Sequence, residues 1–360
     1  MTSKGKLYAR EQGTIPMRPG EELDVEAVRR FLSTHVEGFP GGSLEIRQFA
    51  SGASNLTYWI VCGEWAAVLR RPPFGPLPPK AHDMKREFEF LSKINRVFPL
   101  APRPYAFCAD ACVLGAPFYV MEYRRGLVLD DQFPPKLKPT SQLCRTLSHA
   151  VVDTLVDLHS IDYREVGLDA FGKPAGFIKR QFAGWVDRYQ RAKTDEIPEA
   201  DRIIQWLADH LPVRHEVTII HNDYKLNNLI LDTEDPSRVV AVVDWEMATI
   251  GDPLFDLAVS LSYWSEPKDP DSLKQVLPTV TKNGGFLRRS ELIERYSRKS
   301  GRDVSGLEFY MVFAYFKLAV ILQQIYVRWK RGQTQDPRFA SFGMRVRDLL
   351  EYTFTILPEQ

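Results

Sequence analysis

In LDVEAVRRFLSTHV, residues 23–36, apolar Val25, Val28, Phe31, Leu32 and Val36 recur at helical spacing. The pattern then changes. SLEIRQFA, NLTYWIVCG and WAAVLRR are short, β-branched and aromatic, with turn residues between them, and read as strands. Helical spacing returns in AHDMKREFEFLSKINRVF, where Phe88, Leu91, Ile94 and Phe98 share a face. YAFCAD and APFYVMEY follow as two more strands. Residues 43–123 therefore predict β-β-β-α-β-β, a five-stranded antiparallel sheet with one helix. Beyond Tyr123 the spacing is mostly helical, over 141–159, 176–192, 199–210, 253–264, 289–299, 306–329 and 338–355. Only VTII and VVAVVDW interrupt it as strands.

This divides the chain into a polar arm (1–22), a β-rich front lobe (23–123) and a helical back lobe (124–360), an α+β architecture with a cleft between lobes for a small ligand. The most apolar run, FYMVFAYFKLAVIL (309–322), is too short to span a bilayer and contains Lys317, so it predicts a core helix. No membrane partner is expected. The 360 residues are 44% hydrophobic and 26% charged, with a net charge of +1. So even a balance offers no general field for nucleic acid. Any anion has to be caught locally. Cys62, Cys108, Cys112 and Cys144 fit no zinc spacing. Unpaired thiols, and an N-terminus without an apolar signal segment, predict a cytoplasmic setting. The oligomeric state is left open.

Residues 221–228, HNDYKLNN, gather an acid, a base and an amide after an apolar strand. A surface turn would explain Asn and Asp. VVAVVDWE (239–246) then ends a second apolar strand in Asp244 and Glu246, and IGDPLFDLA (250–258) opens a helix. Carboxylates and an amide near a strand end are the hard oxygen donors that Mg²⁺ takes. Asp252 before Pro253 reads as a helix N-cap. His159, in LVDLHSI, lies on an apolar helical face and reads as a core histidine.

The motifs HNDYKLNN, VVDWE and IGDPLFDLA, in this order, resemble the aminoglycoside phosphotransferase and choline kinase family, whose fold is similar to that of the protein kinases. The resemblance runs from about residue 24 onward and is most specific over 219–258. Within the family, the chain looks closest to the branch whose kinase-like domain also occurs fused to acyl-CoA dehydrogenases. The resemblance implies a protein-kinase-like two-lobed fold. It implies an ATP- and Mg²⁺-dependent kinase acting on a small-molecule hydroxyl, with a hydroxyacyl-CoA-like acceptor or, alternatively, an aminoglycoside or other amino-alcohol.

On that resemblance Asp223 accepts the acceptor's hydroxyl proton, Asn228 and Asp244 ligate Mg²⁺, and Asp256 braces the catalytic loop. Lys225 lies over the transferred phosphoryl group or is a solvated surface lysine. His221 supports the loop, and Asn227 caps its turn. For the nucleotide, Ser51, Gly52 and Ser54 lie between two strands, where small residues let backbone N–H groups approach phosphate; a plain hairpin turn is the other reading. Arg70 stands where kinases carry a lysine, and its fork can hold phosphates. Glu87 is its natural partner. Alternation along the strand sends Arg71 to the opposite face. Glu122 and Tyr123 occupy the hinge position that would bind adenine through backbone groups.

Three rivals remain. A non-catalytic nucleotide-binding module is favoured by Arg70 but opposed by the presence of Asp223, Asn228 and Asp244. A protein kinase is opposed by Asp244-Trp245-Glu246 in place of DFG. A metal hydrolase built on His221 and Asp223 lacks further ligands at close spacing. The helical aromatics Phe177, Phe182, Trp185 and Tyr189 read as core, with a less polar acceptor surface as the alternative.

Overall fold

The computed structural model describes residues 13–50, 55–75, 82–135, 137–213, 216–276, 278–334 and 336–358. The chain forms two compact units, Met1–Arg125 with Ala241–Glu246, and Gly126–Val240 with Met247–Gln360.

The first unit is built on an antiparallel sheet of six strands. In chain order these elements are β1 (Thr14–Ile15), α1 (Val25–His35), β2 (Glu45–Phe49), β3 (Leu56–Cys62), β4 (Trp65–Arg71), α2 (Met84–Ile94), β5 (Pro104–Cys108), α3 (Ala111–Leu114) and β6 (Phe118–Glu122). The strand order is β1-β2-β3-β4-β6-β5. The sheet is one strand larger than the sequence pattern suggests. Thr14 pairs with Phe49 and Ile15 with Gln48, so part of the expected loose arm is an edge strand. Two residues are too few for alternation to show, and Arg47 fastens them through the Thr14 hydroxyl and carbonyl.

Alternation along β4 decides what each face carries. Ala67 and Leu69 are fully buried in the core that α1 closes with Val28, Phe31 and Leu32. Phe31 meets Phe118 edge-on at 4.8 Å. Asp24 caps α1 by accepting from the backbone N–H groups of Glu26 and Ala27. Arg70 turns to the other face. Arg71 stays on the α1 side, as expected, where its Nη1 donates to the Leu114 carbonyl at 3.0 Å.

The second unit contains α4 (Ser141–His159), α5 (Phe177–Ala192), α6 (Pro198–Asp209), β7 (Thr218–Ile220), β8 (Leu229–Leu231), β10 (Thr249–Gly251), α7 (Pro253–Ser262), α8 (Asp271–Val276), α9 (Arg289–Ser300), α10 (Leu307–Lys330) and α11 (Phe342–Thr355); β9 (Val239–Val242) lies at the boundary. The apolar run around Lys317 lies in α10, which at 24 residues is longer than the run itself. By length and composition alone it could cross a membrane, but it is the core helix here, with α11, α7 and α5 packed around it. Phe177, Trp185 and Tyr189 of α5 are buried in that core, and Phe182 meets Phe313 edge-on.

Antiparallel β7 and β10 bring the loop after β7 beside the start of α7. Asp252 caps α7 through the Leu254 N–H at 2.9 Å, with Pro253 in the first turn. Gly251 sits where a Cβ would lie 2.6 Å from Ile220 Cδ1 and 2.7 Å from Phe177 Cζ. Gly251→Ala is therefore expected to destabilise the chain by about 1–3 kcal/mol through overpacking. Urea unfolding checks it; an unchanged midpoint would contradict the close packing.

Candidate active site

In the second unit, β7 delivers His221 into the loop, and a 3-10 turn over Leu226–Asn228 leads out into β8. The loop is held by its backbone. Asp256, fully buried in the first turn of α7, accepts from His221 N at 2.7 Å and from Asn222 N at 2.6 Å. His159 of α4 approaches the same carboxylate at 3.2 Å through Nε2, while its Nδ1 lies 2.8 Å from the Tyr296 hydroxyl. Burial pushes the Asp256 carboxyl up, but the His159 hydrogen bond, the His159 and His221 charges and the His221 N–H outweigh it and hold it below the usual value.

Asn222 adopts a positive φ of 66°. Its carbonyl and Oδ1 both accept from Lys317 Nζ, at 2.8 and 3.0 Å. The next residue is Asp223. Its carboxylate pairs with Lys225 Nζ at 2.9 and 3.1 Å and takes the Asn228 side-chain amide at 3.1 Å. The same Asn228 nitrogen donates to the Asp223 carbonyl at 2.8 Å. Lys225 also lies 4.9 Å over the Tyr263 ring. The Tyr263 phenol is pushed well up by burial, and further by the Asp223 carboxylate facing it. His221 is fully buried, its ring against Tyr224 at 6.0 Å. Asn227 reaches Asp130 at 3.0 Å.

The sequence pattern places Asp223, Lys225 and Asn228 in this loop, and the structure brings their side chains together. Lys225, its side chain 25% exposed, is paired with Asp223. Three participants lie outside the sequence motifs: Lys317, His159 as the partner of Asp256, and Tyr263. For Lys317 a signal is present, a lone charge at the centre of an apolar helix.

Burial lowers the Lys317 ammonium from 10.5 to about 8, against the opposing pull of the Asp223 and Asp256 carboxylates. A folded value below the unfolded one means that the unfolded chain binds more protons between these two limits, so stability rises with pH there. The stability of the wild type relative to Lys317→Met is therefore expected to grow as pH climbs from 8 towards 10.5, and to lose that increment as pH falls through 8. Urea titrations at pH 7 and pH 9.5 check it; a difference independent of pH would contradict it.

In the first unit, Arg70 Nη1 pairs with Glu87 at 2.9 Å, Nη2 with Asp244 at 2.9 Å, and Glu246 lies 3.7 Å away. Arg70 and Glu87 are buried, at 6% and 1% exposure. Burial opposes the guanidinium charge, but Glu87 and the nearby acids outweigh it and hold Arg70 well above its ordinary value. Asp244 stands at a φ of 69°. Trp245 anchors it, buried against Phe90 and Phe98 with its indole N–H on the Val242 carbonyl at 2.7 Å. Glu246 accepts from Asn55 at 2.6 Å, and Asn55 Oδ1 contacts His82 Nδ1 at 2.8 Å. Ser51, Gly52 and Ser54, just before Asn55, lie outside the described residues. Glu122 accepts from Arg103 N at 3.1 Å and pairs with Arg124 at 2.9 Å through Oε2. Tyr123 packs edge-on against Trp59.

Asn228, in the second unit, commits its amide nitrogen to Asp223, and Asp244, in the first, carries a carboxylate 35% exposed; amide and carboxylate oxygens are each a donor type that Mg²⁺ takes. Among the described residues, no group of three or more His, Cys, Asp or Glu side chains could hold a metal ion.

Residues 45–281 match the profile of the Phosphotransferase enzyme family. The chain belongs to that family. Acyl-CoA dehydrogenase family member 10 of Mus musculus is 34% identical over 98% of this phosphotransferase, though the match covers 33% of the relative. Member 11 of Homo sapiens is 34% identical over 97% of the chain and 46% of its own length. The chain thus spans a third to a half of these curated relatives. Among solved structures, a Ralstonia eutropha protein assigned to the aminoglycoside phosphotransferases is 30% identical, with a TM-score of 0.78 over 93% of this chain and 98% of that one. The aminoglycoside phosphotransferase APH(4)-Ia, solved with AMP-PNP and hygromycin B, shares the fold at 17% identity, with a TM-score of 0.60 over 93% of this chain and 99% of that one. The kinase-like fold expected from the three motifs is the one these structures share.

Proposed function

We propose that this phosphotransferase moves the γ-phosphate of ATP, with Mg²⁺, to the hydroxyl of a small molecule, and that the acceptor is a hydroxyacyl-CoA-like compound. The observation that carries the chemistry is Asp223. It is a partly exposed carboxylate on a loop whose backbone is clamped by Asp256, with Lys225 and Asn228 on its oxygens. Asp223 takes the acceptor's hydroxyl proton as the new O–P bond forms. The bond from the γ-phosphorus to the β-bridging oxygen breaks, and ADP leaves. A positioned base of this kind contributes roughly 10²–10⁴-fold. Lys225 is poised to exchange its partner from Asp223 to a phosphoryl oxygen. Arg70 is held on one arm by Glu87 and on the other by Asp244, and binds the nucleotide phosphates by exchanging Asp244 for a phosphate oxygen on that second arm. Asn228 and Asp244 are the residues that would hold Mg²⁺, whose chemistry here is neutralisation of phosphate charge.

The acceptor class rests on the curated relatives, named as acyl-CoA dehydrogenases and aligned over nearly all of this chain. ADP release is the test, measured with Mg·ATP and a panel of hydroxyacyl-CoAs, aminoglycosides and amino-alcohols. Stimulation by a hydroxyacyl-CoA is expected. Stimulation by aminoglycosides or amino-alcohols alone would overturn the acceptor, and Mg·ATP binding without ADP release under any acceptor would favour a non-catalytic module.

A further inference from the structure

Asn222 is held at every polar atom. Its N–H donates to Asp256, its Nδ2 lies 3.4 Å from the Met247 carbonyl, and its carbonyl and Oδ1 both accept from Lys317. The residue needs such a hold. A φ of 66° lies in the left-handed region, which a non-glycine residue adopts at a cost, although asparagine tolerates it better than most. The hold comes from far away, since Lys317 is 95 residues on in sequence. The turn directly precedes Asp223, so the torsions of Asn222 set where that carboxylate points.

Lys317 sits in a part of α10 with no other charge. Its neighbours Phe313, Ala314, Tyr315, Phe316, Leu318, Ala319 and Val320 are all buried, and Lys317 itself is 3% exposed. Placing an ammonium there is costly unless it is well paired. The hold could have come from a neutral donor. The ammonium instead adds a field that reaches Asp223: the charges facing it are Asp223 and Lys225 from the loop, Asp256 from α7 and Arg188 from α5. The rings of Phe255 and Trp185, 5.4 and 5.7 Å away, complete its surroundings.

We propose that Lys317 is a positioning residue for phosphoryl transfer, fixing the left-handed turn at Asn222 that aims the Asp223 carboxylate. It acts through Asn222 and touches no substrate. The role in transfer rests on the kinase reading above, whereas the clamp on the turn does not.

The test uses the full chain with Lys317→Met, which keeps the apolar stem, and Lys317→Arg, which keeps charge and donors. Misplacing a reacting group by about 1 Å costs on the order of 10²-fold. With Mg·ATP and the best acceptor of the panel, Lys317→Met is expected to lower kcat by about that factor while KM for ATP stays within about twofold. Lys317→Arg is expected to recover most of the loss. Backbone amide exchange over residues 221–224 is expected to quicken about tenfold or more in Lys317→Met. A kcat near wild type, a change confined to KM, or failure of arginine to rescue would overturn the positioning role. Unchanged exchange at these amides would overturn the clamp itself. If the wild-type chain releases no ADP with any acceptor, the kinase reading fails, and the exchange measurement still decides the clamp. Where Lys317→Met does not fold, Lys317→Gln, a shorter uncharged donor, takes its place: lowered kcat and quickened exchange support the proposal, and wild-type values of both overturn it.

Discussion

Asp223→Asn is expected to lower acceptor-dependent ADP release by roughly 10²–10⁴-fold while Mg·ATP binding persists. The substitution removes the base but spares the scaffold. The loop backbone is held by Asp256 on the His221 and Asn222 amides and by Lys317 on Asn222, none of which needs the Asp223 carboxylate. What is lost locally is the charged partner of Lys225 and one of the two hydrogen bonds made by the Asn228 side chain. At the partial exposure of this pair that costs about 1 kcal/mol, so the fold survives. Steady-state ADP release beside nucleotide calorimetry separates the effects. Activity near wild type would remove Asp223 as the base, and lost binding would assign it to the nucleotide instead.

Arg70→Met is expected to destabilise the chain by about 3–5 kcal/mol and to weaken ATP binding. The guanidinium bridges Glu87, at 1% exposure, and Asp244. Removing it leaves a buried carboxylate without its cation, the expensive case for an ion pair. Removing both partners is much cheaper, so Arg70→Met with Glu87→Leu should recover most of the stability without restoring nucleotide binding. Arg70→Lys keeps the charge but loses the fork, and should hold one carboxylate at the expense of the other. Urea unfolding of the wild type, the two single mutants and the double mutant checks the cycle. A double mutant as unstable as the sum of the singles would contradict a coupled pair.

The parts of this site readable in the sequence are those encoded locally. HNDYKLNN places Asp223, Lys225 and Asn228 within one turn of chain, and the strand period alone sends Arg70 and Arg71 to opposite faces. GDP at residues 251–253 announces the cap of α7, and the brace expected of Asp256 is visible as two short hydrogen bonds to the loop. The parts not readable depend on packing between distant segments. The apolar face around His159 marks it as a buried core histidine, and it is one, but its link to Asp256 spans 97 residues. Lys317 is visible as a charge in an apolar run, yet nothing local indicates that α10 passes beneath Asn222. The edge strand Thr14–Ile15 escapes the sequence pattern because pairing with β2, and not any periodicity of its own, makes it a strand.

The most direct test of the central claim is ³¹P NMR of the full chain incubated with ATP and hydroxyacyl-CoA, with Mg²⁺ and with EDTA. The expected result is a new phosphomonoester resonance on the acceptor, growing with ADP, present with Mg²⁺ and absent in EDTA. ATP left unchanged, or converted only to ADP and inorganic phosphate, would contradict it.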